Sequence, residues 1–293
     1  MSEAIVTVTE PRGPAPGRLG PLGTMAWLDL RETLRARWFQ LYVLGFTSLM
    51  GLFFVFGLAE SQVMGFTGLG RLLLTFIQVT LVVLPIFVLV TTARTLVGDR
   101  EAGVFEYVLT LPVSLAAYYW GRLLGRTAAI ALPLVLALGA GAGVERLRGG
   151  EVPWAVVIYY AGLVLALTFC FLGLAMLISV VSRTQEMAIG LAFGAWLALE
   201  ALIDALLIGL LVQERAPVEG VVAVALLNPL QAFRTAAIAL FDPELTILGS
   251  VSYALLDTLG QGGLLTWALA WPTALGLGAA ALGALIFVRR DAL

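Results

Sequence analysis

Residues 94–122 read RTLVGDREAGVFEYVLTLPVSLAAYYWGR, and they place Arg94, Asp99, Arg100, Glu101, Glu106 and Arg122 between two long apolar runs. Ionised side chains are expelled from hydrocarbon, so this segment must sit in water or at a membrane face. Gly98 and Asp99 offer a turn and an N-cap, because the Asp carboxylate can accept from the unpaired backbone donors that open a helix. Glu101 then falls in a first turn, where the helix dipole favours an acid. Val104, Tyr107, Val108 and Leu111 recur at i, i+3, i+4 and i+7, with Gly103, Glu106 and Thr110 on the other side. That spacing predicts a short amphipathic helix. Pro112 cannot continue it, and Ser114 can cap the next helix, which passes Tyr118, Tyr119, Trp120 and Arg122 at an interface before turning wholly apolar.

Working outward, the chain of 293 residues is 60% hydrophobic and 12% charged, against about 25% charged in a soluble domain. It is predicted to be an all-α membrane protein. Runs long enough to cross a core about 30 Å thick lie at 39–58, 72–97, 123–144, 155–181, 187–212 and 264–288. These give six transmembrane helices, the second with a kink expected at Pro85. Residues 1–24, rich in Pro and Gly, read as a disordered tail without a secretory signal, ahead of a membrane domain at 25–293. In 25–38, Trp27, Leu30, Leu34 and Trp38 share a stripe, which predicts an interfacial helix lying on the bilayer. Residues 213–262 hold two short apolar helices broken at Asn228 and Pro229; a seventh span competes, but that break and Arg234 oppose it.

Six spans put both termini on one side. Every basic residue is Arg; Arg71, Arg146, Arg148, Arg215 and Arg234 fall opposite the termini and the other twelve fall with them. By the positive-inside rule the termini and segment 98–116 are cytoplasmic, and 213–262 is external. The short helices there, with Asn228, Pro229 and Arg234, are expected to dock an outside partner.

The chain has no His and a single Cys, Cys170, in an apolar run, while its six Met are scattered. An internal disulfide and a site of several His or Cys ligands are excluded, so no metal site is expected. Without His there is no Ser-His-Asp or Cys-His set, and GxxxxGK[ST] is absent, so no catalytic residues and no cofactor are assigned to this chain. A net charge of −2 gives no reason for a nucleic-acid partner. Glu200 and Asp204 share a face of the fifth span. They read either as a polar lining of a dimer interface or translocation path, or as outer-end acids that reach water and hydroxyls. Gly190 and Gly194 in the same span permit close helix contact.

The segment between the second and third spans resembles the coupling segment of type-2 ABC transporter permeases. The likeness is carried by Arg100, Glu101, Gly103, Glu106, Pro112, Val113, Ser114, Gly121 and Arg122. Within that family, GLAFGAWLALEALIDALL with Asp204, and LLNPLQAFR, are similar to permeases of the nitrous oxide reductase maturation (copper-processing) system. The resemblance implies a coupling helix, here Asp99, Arg100, Glu101, Gly103, Glu106, Pro112 and Ser114, that docks a separate ABC ATPase. That ATPase would bind ATP and Mg. It further implies a permease homodimer in the inner membrane and a periplasmic accessory protein. With no His and one Cys, passage of a sulfur species or of motion is expected rather than of copper. An ABC export permease for an unrelated lipid, drug or polymer, and a non-transporting membrane scaffold, are the alternatives.

Overall fold

The computed structural model describes residues 20–37, 39–45, 47–48, 66–110, 112–147, 154–202, 205–206, 209, 218–241, 245 and 250–291, and the regular structure among them is entirely helical. In chain order the helices are α1 (Pro21–Arg35), α2 (Phe66–Ala93), α3 (Thr95–Glu101), α4 (Val104–Leu109) and α5 (Leu115–Leu147). There follow α6 (Trp154–Val181), α7 (Gln185–Leu197), a π-helical turn (Ala198–Leu202), α8 (Val218–Leu227), α9 (Pro229–Phe241) and α10 (Ser250–Asp291).

Four helical stretches are long and apolar enough to cross a membrane: Thr80–Glu101, Leu115–Ala140, Trp154–Val181 and Asp257–Arg290. A fifth arises if Gly220–Leu227 and Pro229–Leu240, bent by 101°, count as one broken span. The chain is therefore a multi-pass membrane protein with four or five such elements among the described residues, against the six predicted. Much of the predicted first span lies outside those residues, as does the end of the fifth, whose described part is α7 and the π-turn.

α6 is the axis of the bundle. Its composition is apolar all round, as suits a helix with neighbours on every side, and Leu163, Leu167, Phe171, Leu172 and Met176 are fully enclosed. Its most extensive contact is with α10, and α2, α5 and α9 also pack on it. At the α6–α10 crossing, Gly173 meets Gly276 backbone to backbone; a Cβ on Gly276 would come within 2.7 Å of Cys170 Cα. Without a hydrophobic drive between helices in lipid, such small-residue contacts let dispersion and backbone approach hold the pair. α10 is broken at Gly260, where φ is +65°.

Two local expectations are corrected. The first helix begins at Pro21, four residues inside the predicted tail, because Pro at the first helical position lacks only an N–H that would be unpaired anyway. The face of α1 turned toward the bundle carries Asp29 and Thr33, which are buried, while Trp27 of the apolar stripe is 59% exposed. Lastly, Asp99 does not cap a helix. It lies within α3, and the helical break falls at Ala102 and Gly103, where Gly103 takes φ +69°.

Candidate functional site on the α3–α4 segment

α3 carries on from α2, and Arg94 at its start offers no side-chain cap. The missing acceptor comes from α6: Ser179 Oγ accepts from the backbone N–H of Leu96 at 2.9 Å and of Val97 at 3.2 Å. Two arginines close the far end of α6. Arg100 and Arg290 each donate to Val180 O at 3.2 Å, satisfying a carbonyl of the last helical turn. The Arg100 guanidinium also lies 5.5 Å from the Phe287 ring centre. Glu101 is tied to α7, accepting from Gln185 N at 3.2 Å and Gln185 Nε2 at 2.8 Å. A carboxylate there meets the positive end of the α7 dipole.

α4 is held by Phe105 and Val108, which are buried; Phe105 packs edge-on to Phe287 at 5.5 Å and against Tyr118. Of the predicted apolar stripe Val104, Tyr107, Val108 and Leu111, Val108 is buried, but Val104 and Tyr107 are not, and Phe105 is buried in their place. Val104 is 42% exposed and Tyr107 68% exposed, beside exposed Glu106 and Gly103, and Leu111 lies outside the described residues. In so short a helix with apolar residues at nearly every position, periodicity does not select a face. Pro112 is exposed, and Ser114 caps α5 as predicted, accepting from Ala117 N at 3.2 Å.

Behind this surface lies an ion cluster that links α1, α3 and α5. Arg122 donates to Asp99 at 2.7 Å, to Asp29 at 3.1 Å and to Glu32 at 3.1 Å, and Tyr118 donates its hydroxyl to Asp99. Arg126 makes a two-point contact with Asp29, at 3.4 Å from Nε and 3.3 Å from Nη2. Asp29 is 1% exposed. Burying a lone carboxylate is costly, and the two guanidiniums make this one tolerable. α1 reaches them because Gly121 and Gly125 let it lie directly on α5; a Cβ on Gly121 would come within 2.5 Å of Met25 Cβ. Sequence reasoning missed Asp29. The signal was present in the repeat Gly121-Arg122 and Gly125-Arg126, matched by Asp29 and Thr33, each pair one helical turn apart.

A second polar cluster surrounds the break between α8 and α9. Asn228 Oδ1 accepts from Leu230 N at 3.0 Å, capping α9 with Pro229 at its first position. Asn228 Nδ2 donates to Leu199 O of the π-turn at 2.7 Å. Arg234 pairs with Glu200 at 3.4 Å and with Gln231 at 3.3 Å. On the opposite side, Trp267 and Trp271 donate their indole N–H to Leu226 O at 3.0 Å and Leu227 O at 2.8 Å, so the last carbonyls of α8 are also satisfied. Asn228 and Pro229 are buried rather than presented to a partner. They hold a corner, because a helix break among apolar helices must have its backbone groups paired internally. Asp204 lies outside the described residues.

A bundle of membrane-length helices, with a short helix anchored on one side and open on the other, defines an integral membrane protein. The residues at 24–292 match the model of the ABC-2 family transporter proteins, and the chain belongs to that family. It is 27% identical over 225 residues, 75% of this chain and 82% of the relative, to the "Probable ABC transporter permease protein NosY" of Pseudomonas aeruginosa. To the protein of the same description in Stutzerimonas stutzeri it is 26% identical over 231 residues, covering 76% and 83%.

Proposed function

We propose that this chain is the permease subunit of an ABC transporter, that a separate ATPase subunit docks on the exposed face of α4, and that the ion cluster passes the ATPase's motion to α1 and α5. The observation that carries this is the two-sided build of α4. Phe105 and Val108 fix it to the bundle, whereas Val104, Glu106 and Tyr107 stand in the open. A Tyr that is 68% exposed contributes little to folding, and aromatic side chains with an adjacent charge are common anchors of protein interfaces. ATP and Mg belong to the partner, since this chain has no phosphate-binding loop.

The α4 side would face the cytoplasm of a bacterial inner membrane, as the Arg asymmetry favours. A second copy would be needed to complete the transporter, and the face of α7 with Met187, Gly190, Leu191 and Gly194 is open to receive one. The similarity to NosY proteins favours a role in nitrous oxide reductase maturation, with an accessory protein outside. A chain with no His and one Cys suits a sulfur species or a conformational signal better than copper.

Docking is tested by co-expressing the permease with its ATPase and purifying the pair. Tyr107→Ala combined with Glu106→Arg is expected to cut ATPase recovery at least tenfold while the permease keeps its melting temperature. Recovery at the unaltered level would rule out α4 as the docking site.

A further inference from the structure

α7 is fastened by polar side chains at both ends. Its first residue, Gln185, grips Glu101 of α3 with two hydrogen bonds at 3.2 and 2.8 Å. Its far end runs into the π-turn Ala198–Leu202, which holds the broken span through Asn228 to Leu199 O at 2.7 Å and through Glu200 to Arg234 at 3.4 Å. Glu200 lies fifteen helical steps beyond Gln185, about 22 Å along the axis, or most of a hydrocarbon core.

The two sides of the broken span are held differently. α9 packs broadly on α10, α6 and α2, and α8 is pinned to α10 by Trp267 and Trp271. Towards α7, by contrast, the span is joined among the described residues through the side chains of Asn228 and Arg234. Interdigitated apolar packing resists separation in small steps, whereas a charge pair and one amide contact can break and reform as a unit. The π-turn concentrates this junction. Such turns leave carbonyls off the regular ladder and recur at functional sites, and here Leu199 O is used to bind the corner.

We propose that α7 is a connecting rod between the α3–α4 surface and the broken span, and that Glu200 with Arg234 forms a releasable latch at its far end. This rests on the docking reading for the source of motion. A displacement of α3 moves Gln185, the rod carries it along one helix, and the latch parts, freeing the α8–α9 corner. Glu200 and Arg234 are positioning residues in this scheme and contact no substrate.

The test places one reporter cysteine at Leu227, which is exposed beside the corner, in a Cys170→Ala background. The rate of its reaction with a membrane-impermeant maleimide is measured in nanodiscs. For the permease alone, Glu200→Arg or Arg234→Glu is expected to raise the rate at least fivefold, and the Glu200→Arg/Arg234→Glu double exchange to return it near the starting value. The milder Glu200→Gln is expected to fall between. With the ATPase bound, ATP is expected to raise the rate in the unreversed protein, and Gln185→Pro, which removes both the side-chain and the backbone donor at a first helical position where Pro fits, to abolish that rise while leaving the nucleotide-free rate unaltered. Unchanged rates in the single reversals, or no recovery in the exchange, overturn the latch. An ATP response that survives Gln185→Pro overturns the rod. Failure of the ATPase to bind the unreversed permease counts against the docking reading, while the nucleotide-free rates still decide for or against the latch.

Discussion

Asp29 and Glu32 show how position decides the worth of a charge. Both accept from Arg122 at 3.1 Å, yet Asp29 is 1% exposed and Glu32 63% exposed. Removing Asp29 leaves Arg126 without its carboxylate partner among the described residues and Arg122 with only Asp99 and Glu32. Breaking a buried pair costs about 3 kcal/mol or more, whereas an exposed pair is worth about 0–1 kcal/mol. Asp29→Leu is therefore expected to lower the thermal midpoint of the detergent-solubilised permease by roughly 6 °C or more. Glu32→Ala should leave it within about 2 °C; equal effects of the two variants would contradict the cluster. At this scale the sequence is only partly readable. It displays Arg100, Glu101 and Glu106 as a polar group, but not that Arg100 is spent on Val180 O and Glu101 on Gln185, because partners 80 or more residues away leave no mark in local spacing.

Helices whose neighbours are also helices of the same apolar kind are easy to locate in the sequence and hard to orient. α6 matches its predicted span almost residue for residue, since a long unbroken apolar run admits one interpretation. α4 is a short helix where one is predicted, but it is turned, and the break before it falls at Gly103 instead of Gly98. A helix of six residues makes under two turns, too few for its period to be measured. The docking of α1 on α5 depends on Gly121 and Gly125, whose meaning emerges only with the partner in place. Gly125→Leu would drive a side chain into Asp29, whose Cβ lies 2.8 Å from the position a Cβ would occupy. We expect this variant to detach α1, exposing its N-terminal turn to limited proteolysis, with Gly139→Leu, which meets no neighbour, as the control. Equal protease resistance in both would show that the close approach is not needed.

For the whole molecule, composition alone gives the membrane class, and the residues contain no phosphate-binding loop pattern. The span count is less secure from sequence because the chain contains interrupted helices: one bent by 101° at Asn228, another broken at Gly260. A hydropathy run cannot distinguish a helix that crosses from one that enters and turns back. The same composition bears on what could pass. We expect the purified permease, free of partners, to retain less than about one copper per chain after Cu(I) loading and desalting, given its lack of clustered soft ligands. Stoichiometric retention that disappears in Cys170→Ala or on replacing Met176 would contradict passage of a sulfur species or signal. The Trp pair that pins α8 adds a practical consequence. Trp267 and Trp271 stack at 5.6 Å and 7° while both indoles are bonded to the corner they secure. A parting of α8 from α10 must change their polarity and their electronic coupling together, so the protein carries its own fluorescent gauge of that movement, with no dye attached.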